Sequence, residues 1–175
     1  MKHTGTLTRL LLICTLLTAC SKSNLNFHDD YEKSYNSWLN FKQKNANSYE
    51  YEVVQSSWVG VSSQTILTVK DGKVTRRYYK MFVPPSYQGS IPPDRLEWTE
   101  TESEIDTHPN SGAAAPLTLD EIYKKAKTEW LPKKPKSKAY FEAKNAGMIS
   151  NCGYVNDGCQ DDCFIGIDIA FIHSL

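Results

Sequence analysis

Residues 65–82, with the sequence TILTVKDGKVTRRYYKMF, contain the pattern that decides the fold. Apolar and polar side chains alternate before Asp71-Gly72, as they do in a strand with one buried face. Asp-Gly is a preferred centre of a type I′ turn, because both central residues of that turn have positive φ. The stretch therefore predicts an antiparallel hairpin whose second strand covers residues 74–82.

Further strands are predicted on both sides of this hairpin. Tyr49, Tyr51 and Val53 alternate with acidic residues, which is the two-residue period of a half-buried strand. Later segments with strand character are residues 96–105, 139–143, 148–152 and 163–171. Paired prolines exclude a central strand from residues 83–95, so this segment is predicted to be an extended loop.

Two helices are predicted, one before the strands and one between them. An apolar stripe with helical spacing indicates a helix over residues 29–44. This stripe consists of Tyr31, Tyr35, Trp38 and Leu39. Thr118 and Glu121 have the spacing of a capping box, which predicts a second helix that starts there and ends before Pro132.

The order of these elements favours an α+β fold. We expect an antiparallel twisted sheet of about five to seven strands with two helices packed on one face. Residues 29–175 are long enough to form this single domain with a substantial core. The chain has 20 basic and 20 acidic residues, and this neutral balance argues against a nucleic acid partner.

The N-terminus has the layout of an export signal. Basic residues are followed by a short apolar run and then by Leu17-Thr18-Ala19-Cys20. The tetrapeptide resembles the lipobox of bacterial lipoproteins. The resemblance implies a signal peptide over residues 1–19, acylation of Cys20 and anchoring in membrane lipid, while Ser21 implies transport to the outer membrane. Residues 20–28 are then the lipidated cysteine and a flexible tether, since they are polar and lack periodicity.

A second resemblance covers most of residues 31–173. The chain resembles a family of small exported bacterial lipoproteins with a domain of unknown function. The landmarks are Ser48-Tyr49-x-Tyr51, Val69-x-Asp71-Gly72-Lys73-Val74, Thr118-x-Asp120-Glu121-Ile122-Tyr123, and Tyr140 with Gly147 and Ile149-Ser150. The resemblance implies export and the α+β fold, and it implies no particular activity.

Three cysteines lie close together near the C-terminus. An exported protein meets an oxidising compartment, so a disulfide is expected among them. The favoured pairing joins Cys152 to Cys163 at the facing ends of a predicted hairpin and leaves Cys159 spare. The two pairings that involve Cys159 stay open, because sequence alone does not assign connectivity.

An acidic cluster within the same segment offers a weaker metal alternative. Asp157, Asp161 and Asp162 carry oxygen ligands on a loop that contains glycine, and calcium binds to such ligands. Their spacing does not match an EF-hand loop, and acidic residues on turns are usually only solvated. No cofactor is therefore expected.

The sequence contains no familiar catalytic motif, which favours a non-catalytic binding or structural module in the cell envelope. Its partner would be an envelope protein or a cell-wall ligand. Tyr87 and Tyr154 are the candidate binding residues, because they lie in predicted loops that lose little entropy on binding. One alternative is an envelope hydrolase with an unrecognised site, although Glu100 and Glu102 are more simply a solvated strand face. Another is an inhibitor of a different enzyme.

Overall fold

The computed structural model describes residues 23–87, 89–109 and 111–175, so the predicted signal peptide and Cys20 lie outside the described residues. Seven antiparallel strands form one sheet in the order β4-β3-β2-β1-β7-β6-β5. The strands are β1 (Tyr49–Ser56), β2 (Ser62–Lys70), β3 (Lys73–Phe82), β4 (Glu97–Thr101), β5 (Ser137–Glu142), β6 (Asn151–Asn156) and β7 (Ile165–Ser174). The α-helices are α1 (His28–Lys44), the short α2 (Pro93–Leu96) and α3 (Leu119–Lys125), and a π-helical segment (Ala126–Trp130) continues α3. The predicted α+β fold is confirmed.

The hairpin at Asp71-Gly72 has the predicted turn. Strands β2 and β3 pair antiparallel across it, and φ is 49° at Asp71 and 78° at Gly72. Positive φ at both central residues is what a type I′ turn requires. The prediction from the Asp-Gly pair is therefore correct in both position and geometry.

Both predicted helices are present. Helix α1 covers the predicted residues and buries Tyr31 and Trp38, whereas Leu39 lies at the edge of the stripe and is exposed. At the start of α3, the Thr118 side chain accepts from the backbone N–H of Glu121, whose carboxylate accepts from the backbone N–H of Thr118. This is the predicted capping box.

Two buried tyrosines attach β1 to the start of α3. The Tyr49 hydroxyl accepts a hydrogen bond from the backbone N–H of Leu119 at 2.8 Å. The Tyr51 hydroxyl donates to the carbonyl of Leu117. Both rings point to the same side of β1, since alternate residues of a strand share a face. The helices therefore pack on this face of the sheet, and the buried core lies between the helices and the sheet.

A third tyrosine joins the two helices to the turn before β6. The hydroxyl of Tyr123 on α3 bonds with the Ser34 side chain on α1 at 2.8 Å and accepts from the backbone N–H of Ile149 at 3.1 Å. Burial raises the pKa of Tyr123 to about 12, so the ring stays neutral. On the same side, the Trp38 indole donates to the Asp120 carboxylate at 2.9 Å. These bonds satisfy polar groups that the core would otherwise leave unpaired.

The segment predicted to be a flexible tether is partly folded onto the domain. Leu25 forms an isolated β-bridge with Pro132, and the backbone N–H of Asn26 donates to the carbonyl of Leu131 at 2.8 Å. The backbone N–H of Lys133 donates to Asn24 at 2.9 Å. These backbone bonds place residues 24–28 in the folded domain, in contrast to the tether predicted over residues 20–28.

The predicted strand over residues 96–105 ends early, at Thr101, because Glu102–Glu104 form a 3₁₀ turn. On strand β4, the Glu100 side chain is wholly buried, whereas the sequence predicted that it belongs to a solvated strand face. The Arg77 guanidinium donates to both Glu100 oxygens, at 2.8 and 2.9 Å. The backbone N–H groups of Asp106 and His108 also donate to this carboxylate, each at 2.9 Å. Glu100 therefore fixes the loop that follows β4.

These contacts decide the charge of Glu100. Burial alone would raise the pKa of the carboxyl, but the bonds from Arg77 and from the loop lower the pKa to about 2. The group is thus ionised at neutral pH and holds no proton for acid catalysis. Glu102 is instead exposed and pairs with Lys73 at 3.2 Å, so the two glutamates have different surroundings.

We predict that Glu100→Gln destabilises the fold by roughly 3–5 kcal/mol, because it leaves the buried Arg77 charge without its partner. The matched substitution Glu102→Gln should change stability by less than about 0.5 kcal/mol. Because the folded pKa of Glu100 is lowered, its contribution is present above pH about 4.5 and is lost as the pH falls towards 2. Urea unfolding at pH 7 and pH 3 measures both effects, and equal losses in the two variants would contradict the prediction.

Candidate binding cleft

The sheet divides between β1 and β7. These strands pair only from Tyr49–Ser174 to Val53–Ile169, and the register shifts next to Val53. Beyond that point residues 54–56 form a ladder only with β2, and residues 165–168 form one only with β6, among the described strands. A cleft of about 650 Å³ opens between the two strand ends.

Backbone groups on both strands face this cleft. The N–H of Ser57 bonds to Val61 across the β1–β2 turn, and the N–H of Ile169 bonds to Ser150 on the β6 side. Successive residues of a strand direct their N–H and C=O groups to opposite sides. The peptide groups of Ser56 and Gly166 therefore point into the cleft, from β1 and β7 respectively.

An aromatic ring forms part of the cleft wall. An added Cβ at Gly153 would lie 2.5 Å from the Phe164 ring, and one at Gly166 would lie 2.8 Å from it. Glycine at both positions therefore lets the Phe164 ring lie against the backbone of β6 and β7. The Tyr140 ring meets Phe164 edge-on, with centroids 6.3 Å apart. Val53, Tyr79 and Ile167 are among the other apolar residues of the lining.

Polar side chains bound the cleft. The Ser57 hydroxyl donates to the Asp162 carboxylate at 2.7 Å, which joins the β1–β2 turn to the loop before β7. The Asn151 amide donates to Asp168 at 2.7 Å. Among the described lining residues the only charged side chains are these two aspartates. The cleft therefore favours neutral or basic ligands.

Exposed apolar side chains lie beside the cleft. Trp58, in the turn after β1, is 75% exposed, and Val59 next to it is also exposed. Val54 and Phe82 are exposed where β1 and β3 end. Clustered exposed apolar residues commonly mark a surface that binds a partner.

The disulfide differs from the favoured prediction. Cys159 pairs with Cys163, whose Cα atoms are 6.1 Å apart, and this was one of the two pairings left open. The Cys152–Cys163 pairing is wrong because the strand register places Ile167 opposite Cys152. Cys152 is instead a buried thiol in the core, where burial raises its pKa to about 12. The disulfide closes the loop that contains Asp162, at the edge of the cleft.

The three aspartates of the calcium alternative are not brought together in the part of the chain that the structure describes. No group of three or more His, Cys, Asp or Glu side chains there is arranged to hold a metal ion. Of the three aspartates considered, Asp162 bonds with Ser57, whereas Asp157 and Asp161 are exposed and do not line the cleft.

The structure separates the two predicted binding tyrosines from the cleft. Tyr87 is exposed in a 3₁₀ turn after β3, as expected for a loop residue, but it does not line the cleft. Tyr154 lies on strand β6, packs partly against the core and has the Lys134 ammonium 3.4 Å from its ring centroid. The prediction of Tyr154 as a loop residue is wrong, because β6 continues to Asn156.

Sequence reasoning missed the cleft. Gly166 lies between the alternating isoleucines of the last predicted strand, and a glycine within a strand marks a close approach of backbone or ring. That signal pointed to the position, but the facing partner Gly153 is identified only by the strand register.

None of the described helices is long and apolar enough to cross a membrane. Comparisons with protein-family models, with curated proteins and with solved structures found no match.

Proposed function

We propose that the protein is a lipid-anchored module of the cell envelope that binds a ligand non-covalently in the cleft between β1 and β7. The cleft carries this proposal. Its volume of about 650 Å³ lies within the range of roughly 300–1,000 Å³ that is typical of ligand sites. Its lining combines apolar side chains with a few polar groups, which is the usual composition of such sites.

The chemistry of the lining favours binding over hydrolysis. The described lining residues include no histidine or lysine, and the sulfur of Cys163 is held in a disulfide. Each lining aspartate accepts a hydrogen bond from a neighbouring side chain. A surface of this kind orients a ligand, and its one hydroxyl–carboxylate pair, Ser57 with Asp162, has no histidine or lysine beside it among the described lining residues to activate the hydroxyl.

The proposed anchor is Cys20, acylated after removal of residues 1–19, and Ser21 favours the outer membrane. The folded domain starts close to this cysteine, since Lys133 bonds to the carbonyl of Ser23 at 2.7 Å. Three residues of extended chain reach about 10 Å. An acylated Cys20 would therefore hold the domain close to the membrane surface, with a partner drawn from other envelope proteins or from the cell wall.

We predict that Cys20→Ser releases the protein from membranes or leaves it unprocessed, because the thiol that carries the first lipid is gone. The matched variant Cys14→Ser should stay in the membrane fraction, since Cys14 belongs to the segment that is removed. Detergent phase partitioning of envelope fractions measures the difference. Recovery of the wild-type protein in the aqueous phase would contradict the anchor.

We further predict that a photo-reactive benzoylphenylalanine in place of Gln55, a residue of the cleft lining, captures a discrete adduct in the native host. The same residue in place of Lys70, which is exposed on β2 and does not line the cleft, should capture none. Irradiation followed by immunoblotting and mass spectrometry measures both. If position 55 gives no adduct, or only those that position 70 gives, the cleft is not the binding site.

A further inference from the structure

We propose that the ligand of the cleft is an extended polypeptide segment that adds as a short strand between β1 and β7. This inference rests on the proposed function, because it names the class of ligand that the same cleft binds. Three features support it: free backbone groups, the size of the cleft and the pattern of its side chains.

The free backbone groups are the first feature. The N–H and C=O groups of Ser56 point into the cleft from β1, and those of Gly166 point into it from β7. An unpaired strand edge is a template for an added strand, and proteins use such edges to bind peptides. Here two edges face one another, so one inserted segment would be paired on both sides once the side-chain hydrogen bond between Ser57 and Asp162 opens to admit it.

The size of the cleft agrees with this occupant. A strand rises about 3.3 Å per residue, needs about 4.8 Å in the hydrogen-bonding direction and spans about 10 Å between packed layers. A four-residue strand therefore fills roughly 600 Å³. The cleft offers about 650 Å³.

The side chains of the lining indicate what the segment would carry. Val53, Tyr79 and Ile167 offer apolar surface to one face of an inserted strand. Asp168 and Asn151 lie on the opposite face of their strands from the core residues Ile167 and Cys152. The segment would therefore have apolar residues at alternate positions and a polar or basic residue between them.

A polypeptide fits these features better than a glycan does. Sugar hydroxyls can bond to the aspartates, but they do not repeat N–H and C=O groups at the spacing of a strand. Ser56 and Gly166 form no ladder across the cleft with another described strand, and this decides between the two classes.

Selection of displayed random nonapeptides on the purified soluble domain tests this inference. We expect peptides with alternating apolar residues to be enriched. In a synthetic copy of an enriched peptide, N-methylation of alternate residues keeps the side chains but removes backbone donors. Each lost hydrogen bond should weaken binding roughly tenfold.

A pair of protein variants provides the matched control. Ser56→Pro removes the N–H that faces the cleft, at a position where proline disturbs no ladder bond to β2, and it should weaken binding about tenfold. Ser56→Ala keeps the N–H and should bind as the wild type does. Should the proline variant fail to fold by circular dichroism, the N-methylated peptides alone decide.

Failure to enrich any peptide, or equal affinity of the plain and N-methylated peptides, would overturn the inference. So would a stable dimer in analytical ultracentrifugation in which a second copy fills the cleft. A glycan adduct at position 55 in the photo-crosslinking experiment would also overturn it while leaving the cleft as the binding site. Absence of any adduct there would instead remove the proposed function itself.

Discussion

The buried hydroxyls of Tyr49 and Tyr51 impose the constraint on which the rest of the structure depends. A buried polar group without a partner costs about 1–3 kcal/mol, so each hydroxyl must find one. Tyr49 accepts from the N–H of Leu119, one of the groups at a helix start that lack a partner within the helix. Tyr51 donates to Leu117, just before the helix. Together these bonds fix β1 against α3, and β1 is the central strand of the sheet.

Strand β7 pairs with β1 and buries isoleucines on both sides of a point where its buried positions change from odd to even residue numbers. Ile167 and Ile169 are buried at odd positions, whereas Ile172 is buried at an even one. One extra residue must lie between them, and Ala170 takes this place, since Glu52 pairs with Phe171 and Val53 with Ile169. A β-bulge of this kind bends a strand and increases its twist. The bend turns the first half of β7 away from β1, which opens the cleft.

The local chemistry of the sequence was enough to predict the hairpin, both helices and the α+β class, because each depends on residues that are neighbours in the chain. Asp71-Gly72 and the box formed by Thr118 and Glu121 are examples. The burial of Glu100 could not be predicted, since its partner Arg77 is supplied by another strand. The disulfide pairing and the cleft both depend on the register of β6 against β7, and alternation alone does not reveal a bulge. Periodicity suggested that Phe171 continues the apolar face, but Ile172 does so instead.

Strands β1 and β7 part after Val53, so that backbone groups on both remain unpaired with any other described strand of the seven-stranded sheet. Amide hydrogen exchange of the soluble domain, followed by NMR, tests this most directly. The amide of Ser56, which faces the cleft, should exchange faster than the adjacent amide of Gln55, which bonds to β2. On β7, the amide of Gly166 should likewise exchange faster than the amide of Ile167, which bonds to β6. Slow exchange at Ser56 and Gly166, equal to that of their neighbours, would mean that the two strands are paired and that no cleft exists.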